Sequence, residues 1–347
     1  MLTKKRAQQI LKNATGQSVL SCGDVMLDAY LTGKVERFSQ EAPVPIIPVS
    51  EEKFFPGGAG NAAACMATAN IIPHLVSVVG NRERISYSDI LKTECVKMGI
   101  FPHFEIDHER KTTLKLRLTA IRTTNQHVAR VDMEDIFPLN KKIELKIIHQ
   151  IEALFRKIAP PIISIHDYKK GFLTEAIFKC ITNLSHEYSV PIFADLKQDT
   201  FIQFKSLIKN PKLFYLKPNK NESVQTAKLL NGFDKDGNTD SEIIEIARII
   251  QAEIPINIII TRGEKGAVLF QEKEKPYFVR PEEVEEQFDV AGAGDTVEAF
   301  LVVAYLGGAT MHEALELAVT ASQIAIRKFG TSVVTNKELL SWIDNHN

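Results

Sequence analysis

The second half of the chain repeats one pattern: a short apolar run, a polar residue or two, then a stretch of helical periodicity. Pro161-Ile162-Ile163-Ser164-Ile165, Pro191-Ile192-Phe193-Ala194-Asp195, Leu213-Phe214-Tyr215-Leu216 and Ile256-Asn257-Ile258-Ile259-Ile260 read as buried strands with helices between them. Runs this short and this uniformly apolar are covered on both faces, and strands separated by helices return to the sheet running parallel. The expected class is therefore α/β, with a parallel sheet between two helical layers. From Thr296 to Ile326 the pattern is mainly helical, and the polar stretch from Asn231 to Asp240 reads as a surface loop. A length of 347 residues suits one large α/β domain or two smaller ones, and no repeat, low-complexity tract or Gly/Ser/Pro-rich linker divides it.

The first half opens with an amphipathic helical pattern at Met1–Ile10, followed by Ser18-Val19-Leu20-Ser21-Cys22, a buried strand stopped by Gly23. Ligands of open α/β sheets gather at the carboxyl ends of strands, so Asp24 and Asp28 fall where acids can accept protons from a polyol. Solvated or capping acids in a loop are the plainer alternative. Between Tyr30 and Phe55 come short β-like pieces interrupted by Pro43, Pro45 and Pro48, which a central strand excludes, so an edge or protruding sheet is expected there. Gly57-Gly58 permits close backbone approach to a ligand, and Asn61 offers a donor and an acceptor; a tightly packed helix start explains them as well. Leu75–Gly80 reads as a strand and Leu91–Gly99 as a helix ending at glycine. Lys111–Thr119 alternates with period two, placing Lys115 and Arg117 on one face, where two cations suit a phosphoryl group and Arg130 can join them; an ordinary wet strand face remains open.

Chemistry concentrates in Phe288-Asp289-Val290-Ala291-Gly292-Ala293-Gly294-Asp295-Thr296. Gly292, Ala293 and Gly294 let the backbone turn tightly and aim successive N–H groups at one point, and the helix beginning near Asp295 adds its positive end. Such a cradle holds a phosphate while Asp295, at its rim, takes the proton of the attacking hydroxyl, which is the chemistry of phosphoryl transfer. A loop with Asp295 as N-cap satisfies the same tetrapeptide. Other polar groups follow apolar runs directly: Asp195-Leu196-Lys197, Lys217-Pro218-Asn219-Lys220-Asn221-Glu222 and Thr261-Arg262-Gly263-Glu264-Lys265-Gly266. Asn219 and Glu222, three apart at a helix start, can hold a hydrated Mg²⁺ near nucleotide phosphates, or can simply form a capping box.

Composition narrows the partners. A net charge of −1 provides no field for nucleic acid or a membrane surface, leaving a small molecule as partner. Cys22, Cys65, Cys95 and Cys180 lack metal-ligand spacing and suit a reduced, cytoplasmic protein. No run approaches the roughly 20 apolar residues of a membrane span, and no signal core follows the N-terminus.

Taken in order, Gly23-Asp24 with Asp28, Gly57-Gly58 with Asn61, Asn219-x-x-Glu222, Thr261-Arg262-Gly263 with Gly266, and Gly292-Ala293-Gly294-Asp295 resemble the ribokinase-like (PfkB) sugar kinases over nearly the whole chain. Within them, Gly23–Asp28, Glu41–Pro45, Lys115-Leu116-Arg117, Asp167-Tyr168 with Lys170-Gly171, and Lys328–Thr331 resemble the heptose-7-phosphate kinases of bacterial lipopolysaccharide synthesis. The resemblance implies one kinase domain over 1–347, a three-layer α/β/α core with a mostly parallel sheet, and a small β-sheet lid from about 30–55 and 103–132. It implies Asp295 as general base, Gly292, Ala293 and Gly294 as anion hole, and Asp24, Asp28, Gly57, Gly58 and Asn61 on the sugar, with Lys115, Arg117, Arg130 and Lys197 joining them on a phosphorylated substrate. Asn219, Glu222, Thr261, Arg262, Gly263 and Gly266 would serve the nucleotide, Glu222 reaching Mg²⁺ through water.

The implied reaction is ATP-dependent phosphorylation of the anomeric hydroxyl of a heptose 7-phosphate, by a homodimer paired through the lid, with Mg²⁺ and a monovalent cation such as K⁺ as candidate cofactors. A ribokinase- or fructokinase-like sugar or nucleoside kinase is the alternative, and a non-catalytic sugar sensor on the same fold is a rival from another class. The chain ends soon after the last motif, so no fused nucleotidyltransferase is expected. It departs from the subgroup pattern at Ala29, Gly60, Leu196, Lys217, Ala291 and Val319; Ala29 and Gly60 bear on the choice of sugar.

Overall fold

The computed structural model describes residues 2–121, 126–282, 292–328 and 332–346. Its large sheet runs, edge to edge, Tyr277–Val279, Ala267–Phe270, Asn257–Thr261, Phe214–Leu216, Ile192–Asp195, Ile163–His166, Ser18–Gly23, Ile72–Gly80 and Phe101–Asp107. The last seven pair in parallel, and Ala267–Phe270 runs against both of its neighbours. Each apolar run read from the sequence is thus a strand, and the helices between the runs are the crossovers that parallel pairing requires.

Alternation along these strands sorts side chains into two cores. Leu20, Ile163, Ile192, Phe214 and Ile258 enter one, with residues of the helices Lys141–Ile158, Glu175–Tyr188 and Asp240–Glu253. Val19, Phe193, Tyr215 and Ile259 enter the other, with residues of Lys4–Ala14, Ala293–Leu306, Met311–Ala325 and Asn336–Asn345. Phe193 stacks on Tyr215 with ring centroids 4.6 Å apart. Truncating a side chain buried like Phe193 costs about 3–5 kcal/mol, so the strand ends that carry polar residues are rigidly held.

A second sheet has four strands in the order Val49–Gly58, Val25–Gly33, Leu114–Ala120, Gln126–Met133, the middle two parallel. Val25, Leu27, Ala29 and Leu114 pack with Ala59, Ala63 and Leu91, residues of the helices Ala59–Thr68 and Tyr87–Lys97. Alternation then turns Met26, Asp28, Tyr30, Lys115 and Arg117 to the other face. The expected lid boundaries shift accordingly. Val25–Asp28, expected at a strand end, begins a second strand: the chain leaves the large sheet at Gly23 and enters the small one at Val25, with only Asp24 between. Residues from 103 to Asp107, expected in the lid, belong instead to the edge of the large sheet, paired with Ile72–Gly80. The proline-broken segment contributes a two-residue ribbon, Arg37–Phe38 with Pro45–Ile46, as protruding β structure.

Candidate active site

Because the strands Asn257–Thr261, Phe214–Leu216, Ile192–Asp195 and Ile163–His166 are neighbours, the residues at or just beyond their carboxyl ends form a row: Thr261, Lys217, Asp195 with Lys197, and Tyr168. The N-terminus of the helix Ala293–Leu306 and the polar face of the small sheet close the space above that row. The cleft so formed has a volume of about 280 Å³. Of the residues expected in the site, Asp28, Gly58, Lys115, Arg117, Lys197, Asn219, Glu222, Thr261, Gly292, Gly294 and Asp295 line it. Residues 283–291, including Phe288–Ala291 of the glycine motif, lie outside the described residues, as do 329–331.

Gly292 caps the helix at φ 80°, the left-handed region where glycine escapes the Cβ clash. Thr296 returns its N–H to the Gly292 carbonyl at 2.9 Å, so the N–H groups of Ala293, Gly294 and Asp295 precede the first intrahelical bond and remain for an anion. Asp295 stands in this first turn, buried. The Asn61 amide donates to its Oδ2 at 2.7 Å and the Tyr168 hydroxyl donates to its Oδ1. A carboxylate offers about four lone-pair directions, and these donors use two. Burial pushes the Asp295 acid up to about 6, against the opposing effect of its two donors. That lies within reach of neutral pH, as a general base requires.

Below Asp295 the charges come in pairs. Lys217, buried, donates to Asp195 Oδ2 at 2.7 Å, and Lys197 donates to Glu222 Oε1 at 2.5 Å. Burial opposes the charge on Lys217, but Asp195 and the surrounding carboxylates outweigh it and raise its pKa. Asn219 and Glu222 do form the capping box: Asn219 Oδ1 accepts from the Glu222 N–H and Glu222 Oε2 from the Asn219 N–H, both at 2.9 Å. The box also fixes Glu222 against the cleft. Among the described residues no group of three or more His, Cys, Asp or Glu could hold a metal ion. A hydrated Mg²⁺, which keeps several waters and needs only one or two carboxylates beside substrate phosphates, still fits the oxygen donors at Glu222.

On the small sheet, Arg117 Nη1 donates to Asp28 Oδ1 at 2.5 Å and its guanidinium lies 5.0 Å from the Tyr30 ring centroid. Lys115 sits beside Asp28, its pKa lowered by burial. A Cβ on Gly57 would come within 2.1 Å of Asp28 Oδ2, so glycine there makes room for the acid. Arg130 pairs with Arg117 in register but is 57% exposed in its side chain, bonded to Asp132, and does not line the cleft.

Several expected residues sit elsewhere. Asp24, expected on a polyol, uses its carboxylate to hold a loop: it accepts from the N–H groups of Tyr168 at 2.8 Å, Lys170 at 3.1 Å and Phe172 at 3.0 Å. Arg262, expected in the nucleotide cleft, is buried, paired with Asp240 at 2.7 Å and 5.6 Å from the Phe278 ring centroid. Gly263 and Gly266 close the turn between Asn257–Thr261 and Ala267–Phe270; of this group only Thr261 reaches the cleft. Tyr168, Asp195 and Lys217 line the cleft without having been assigned roles. Asp195 and Lys217 end or directly follow a predicted strand, a signal that pointed to them without a role, whereas Tyr168 lies three residues beyond its predicted run. Deeper, Ser164 Oγ contacts His166 Nε2 at 2.9 Å and donates to Glu298 Oε1 at 3.0 Å, one helical turn from Asp295.

The family model described as pfkB family carbohydrate kinase matches residues 17–338, and the chain belongs to that family. Among curated relatives, the Bifunctional protein HldE of Gluconobacter oxydans is 31% identical over 323 residues, covering 91% of this chain and 62% of that protein. The HldE protein of Azorhizobium caulinodans is 33% identical over 319 residues, again 91% and 62%. The chain therefore spans less than two thirds of the length of these relatives. Among solved structures, phosphofructokinase-2 from Escherichia coli in complex with potassium matches at TM-score 0.73 and 14% identity, over 95% of this chain and 99% of that one. Ribokinase of Arabidopsis thaliana complexed with ribose and ATP matches at TM-score 0.65 and 17% identity, with the same coverage. At such identities the likeness is one of fold: the three-layer, ribokinase-like arrangement with a small sheet over one end. No helix among the described residues is long and apolar enough to cross a membrane.

Proposed function

We propose that this chain phosphorylates the anomeric hydroxyl of a heptose 7-phosphate, with ATP as donor. The observation that carries the reading is the pairing of Asp295 and its N–H cradle with two cations, Lys115 and Arg117, on the facing wall of the same cleft. A sugar that already bears a phosphate needs fixed positive charge away from the reacting hydroxyl, and Arg117 presents a planar fork suited to it. Asp295 accepts the proton as the hydroxyl oxygen bonds to the terminal phosphorus of ATP; the bond from that phosphorus to the bridging oxygen breaks and ADP leaves with the electron pair. The N–H groups of Ala293, Gly294 and Asp295 receive the charge on the moving group. Glu222, fixed by Asn219 and Lys197, would hold Mg²⁺ through water, and the ion would neutralise phosphate charge. Likeness to the HldE proteins and the subgroup motifs supports the heptose; pairing of two copies through the small sheet is part of the same reading, with Val49 and Val128 exposed there.

The test is ADP release by the purified protein with Mg·ATP and a panel of heptose 7-phosphate, fructose 6-phosphate, ribose and fructose, in K⁺ and in Na⁺. Highest kcat/KM on the heptose 7-phosphate is expected. A higher value on another acceptor would move the assignment to a different sugar kinase of the family, and no turnover on any acceptor would favour a sugar-binding protein.

A further inference from the structure

Lys217 is unusual among the charges of this molecule. Its side chain is 4% exposed, yet it lines the cleft. Among the described residues its ammonium makes one hydrogen bond, to Asp195, although an ammonium carries three N–H donors. A buried cation with unspent donors is costly unless something completes its shell. Its position indicates what that is. A Cβ built on Gly294 would lie 3.7 Å from Lys217 Nζ, so the ammonium faces the glycine cradle at the helix N-terminus. Asp295 stands next along the same turn, and Asp195, Glu222 and Glu298 surround Lys217 closely enough to raise its affinity for protons. Asp195, 13% exposed in its side chain, has its acidity increased by Lys217 and Lys197, against the effect of partial burial. The two lysines and their acids thus form a fixed, nearly neutral floor from which one ammonium projects toward the cradle.

We infer that Lys217 is a catalytic residue whose ammonium donates to the terminal phosphoryl group of the nucleotide, opposite the N–H groups of the cradle. Asp195 holds it in position before the nucleotide arrives and shares it afterwards. The phosphoryl oxygens are then gripped from two sides, by backbone N–H groups and by a cation whose burial strengthens the hydrogen bond. Lys197, bound to Glu222 at the far side of the row, contributes to the same floor without facing Gly294.

This inference rests on the phosphoryl-transfer reading but not on the identity of the sugar, so its test uses binding of nucleotide alone. The affinities of the full chain for AMP-PNP and for ADP, with Mg²⁺, are measured by calorimetry. Lys217→Met combined with Asp195→Asn removes both charges of the buried pair and leaves no orphan carboxylate. The double variant is expected to bind ADP within about threefold of the parent and to lose about 10- to 100-fold in AMP-PNP affinity, the range of a charge-assisted hydrogen bond. An unchanged AMP-PNP to ADP ratio would overturn the assignment. Should the double variant unfold, Asp195→Asn alone provides the second arm: with Lys217 released from its acid, preference for AMP-PNP over ADP should rise, and a ratio that stays level or falls overturns the proposal. A parent protein that binds neither nucleotide would fail the phosphoryl-transfer reading itself, a different outcome from either of these.

Discussion

The two walls of the cleft balance charge differently. On the large-sheet side, Lys217, Asp195, Glu222 and Asp295 sit on strand ends or a helix start fixed by two cores, each bonded to a neighbour before any substrate binds. On the small-sheet side, Asp28 is buried and bonded to Arg117, whose side chain is 13% exposed, Lys115 is half-buried, and the sheet is packed against helices on one face only. Buried charges carry a desolvation cost that only a prearranged set of partners offsets, and such a set needs little rearrangement when charge moves in a reaction. The small-sheet wall carries two cations, Lys115 and Arg117, against one acid, Asp28, and that surplus of positive charge can engage and release a substrate's own phosphate. The large-sheet wall should therefore govern turnover, and the small-sheet wall affinity and choice of sugar.

Asp295→Asn tests the first half of that contrast and should have the largest effect. Loss of the base is expected to lower kcat by about 10²–10⁴-fold while KM for the acceptor changes little. Asparagine occupies the same space, so a folded variant is expected, checked by its thermal midpoint. Turnover close to the parent would remove the base from the mechanism. Arg117→Ala tests the second half. It should raise KM for a phosphorylated acceptor by about 10- to 100-fold, with kcat changed much less and the same sugar lacking its phosphate hardly affected. A KM that rises equally for both acceptors would mean that Arg117 acts only through Asp28.

How legible this arrangement was in the sequence follows the same division. The strands at Ile163, Ile192, Phe214 and Asn257 announced themselves because both faces are covered and both therefore had to be apolar. Their polar ends drew attention to Lys197, Asn219, Glu222 and Thr261, and the family resemblance supplied the roles expected of them. Alternation gave the shared face of Lys115 and Arg117, though not that the wet face is the cleft. Val25–Gly33 escaped notice as a strand because it follows Ser18–Gly23 after a single residue and carries Asp28 in its middle. Asp24 was misplaced for a reason that no local pattern could supply: its hydrogen-bond donors lie 144 to 148 residues further along the chain. Arg262 likewise meets the ring of Phe278 and finds its charge partner in Asp240, neither of which is close in sequence. Strand ends identify which residues are near a site, whereas the direction of a side chain depends on partners brought in by the fold.

The smallest predicted effect separates two acids that look alike. Asp24 and Asp295 are both buried, and burial pushes each from 3.8 up to about 6. As acids whose folded pKa is raised, both hold protons in the folded chain that the unfolded chain releases, so their contribution to stability declines as pH rises from about 4 to about 6 and is level above. Only Asp295 faces the cleft, and only its ionised form accepts a proton. Acceptor kcat/KM should therefore rise with pH through about 6 and then flatten. Asn61 donates to Asp295 and favours the ionised form, so Asn61→Ala should move this acid limb upward by a fraction of a pH unit. Asp24→Asn replaces an acceptor of backbone N–H groups with an amide that cannot accept at every position, so it should lower the thermal midpoint and leave the limb in place. The opposite pattern, a limb that shifts with Asp24→Asn and ignores Asn61→Ala, would mean that the loop Asp24 anchors, and not the carboxylate at the helix start, sets the proton chemistry of this cleft.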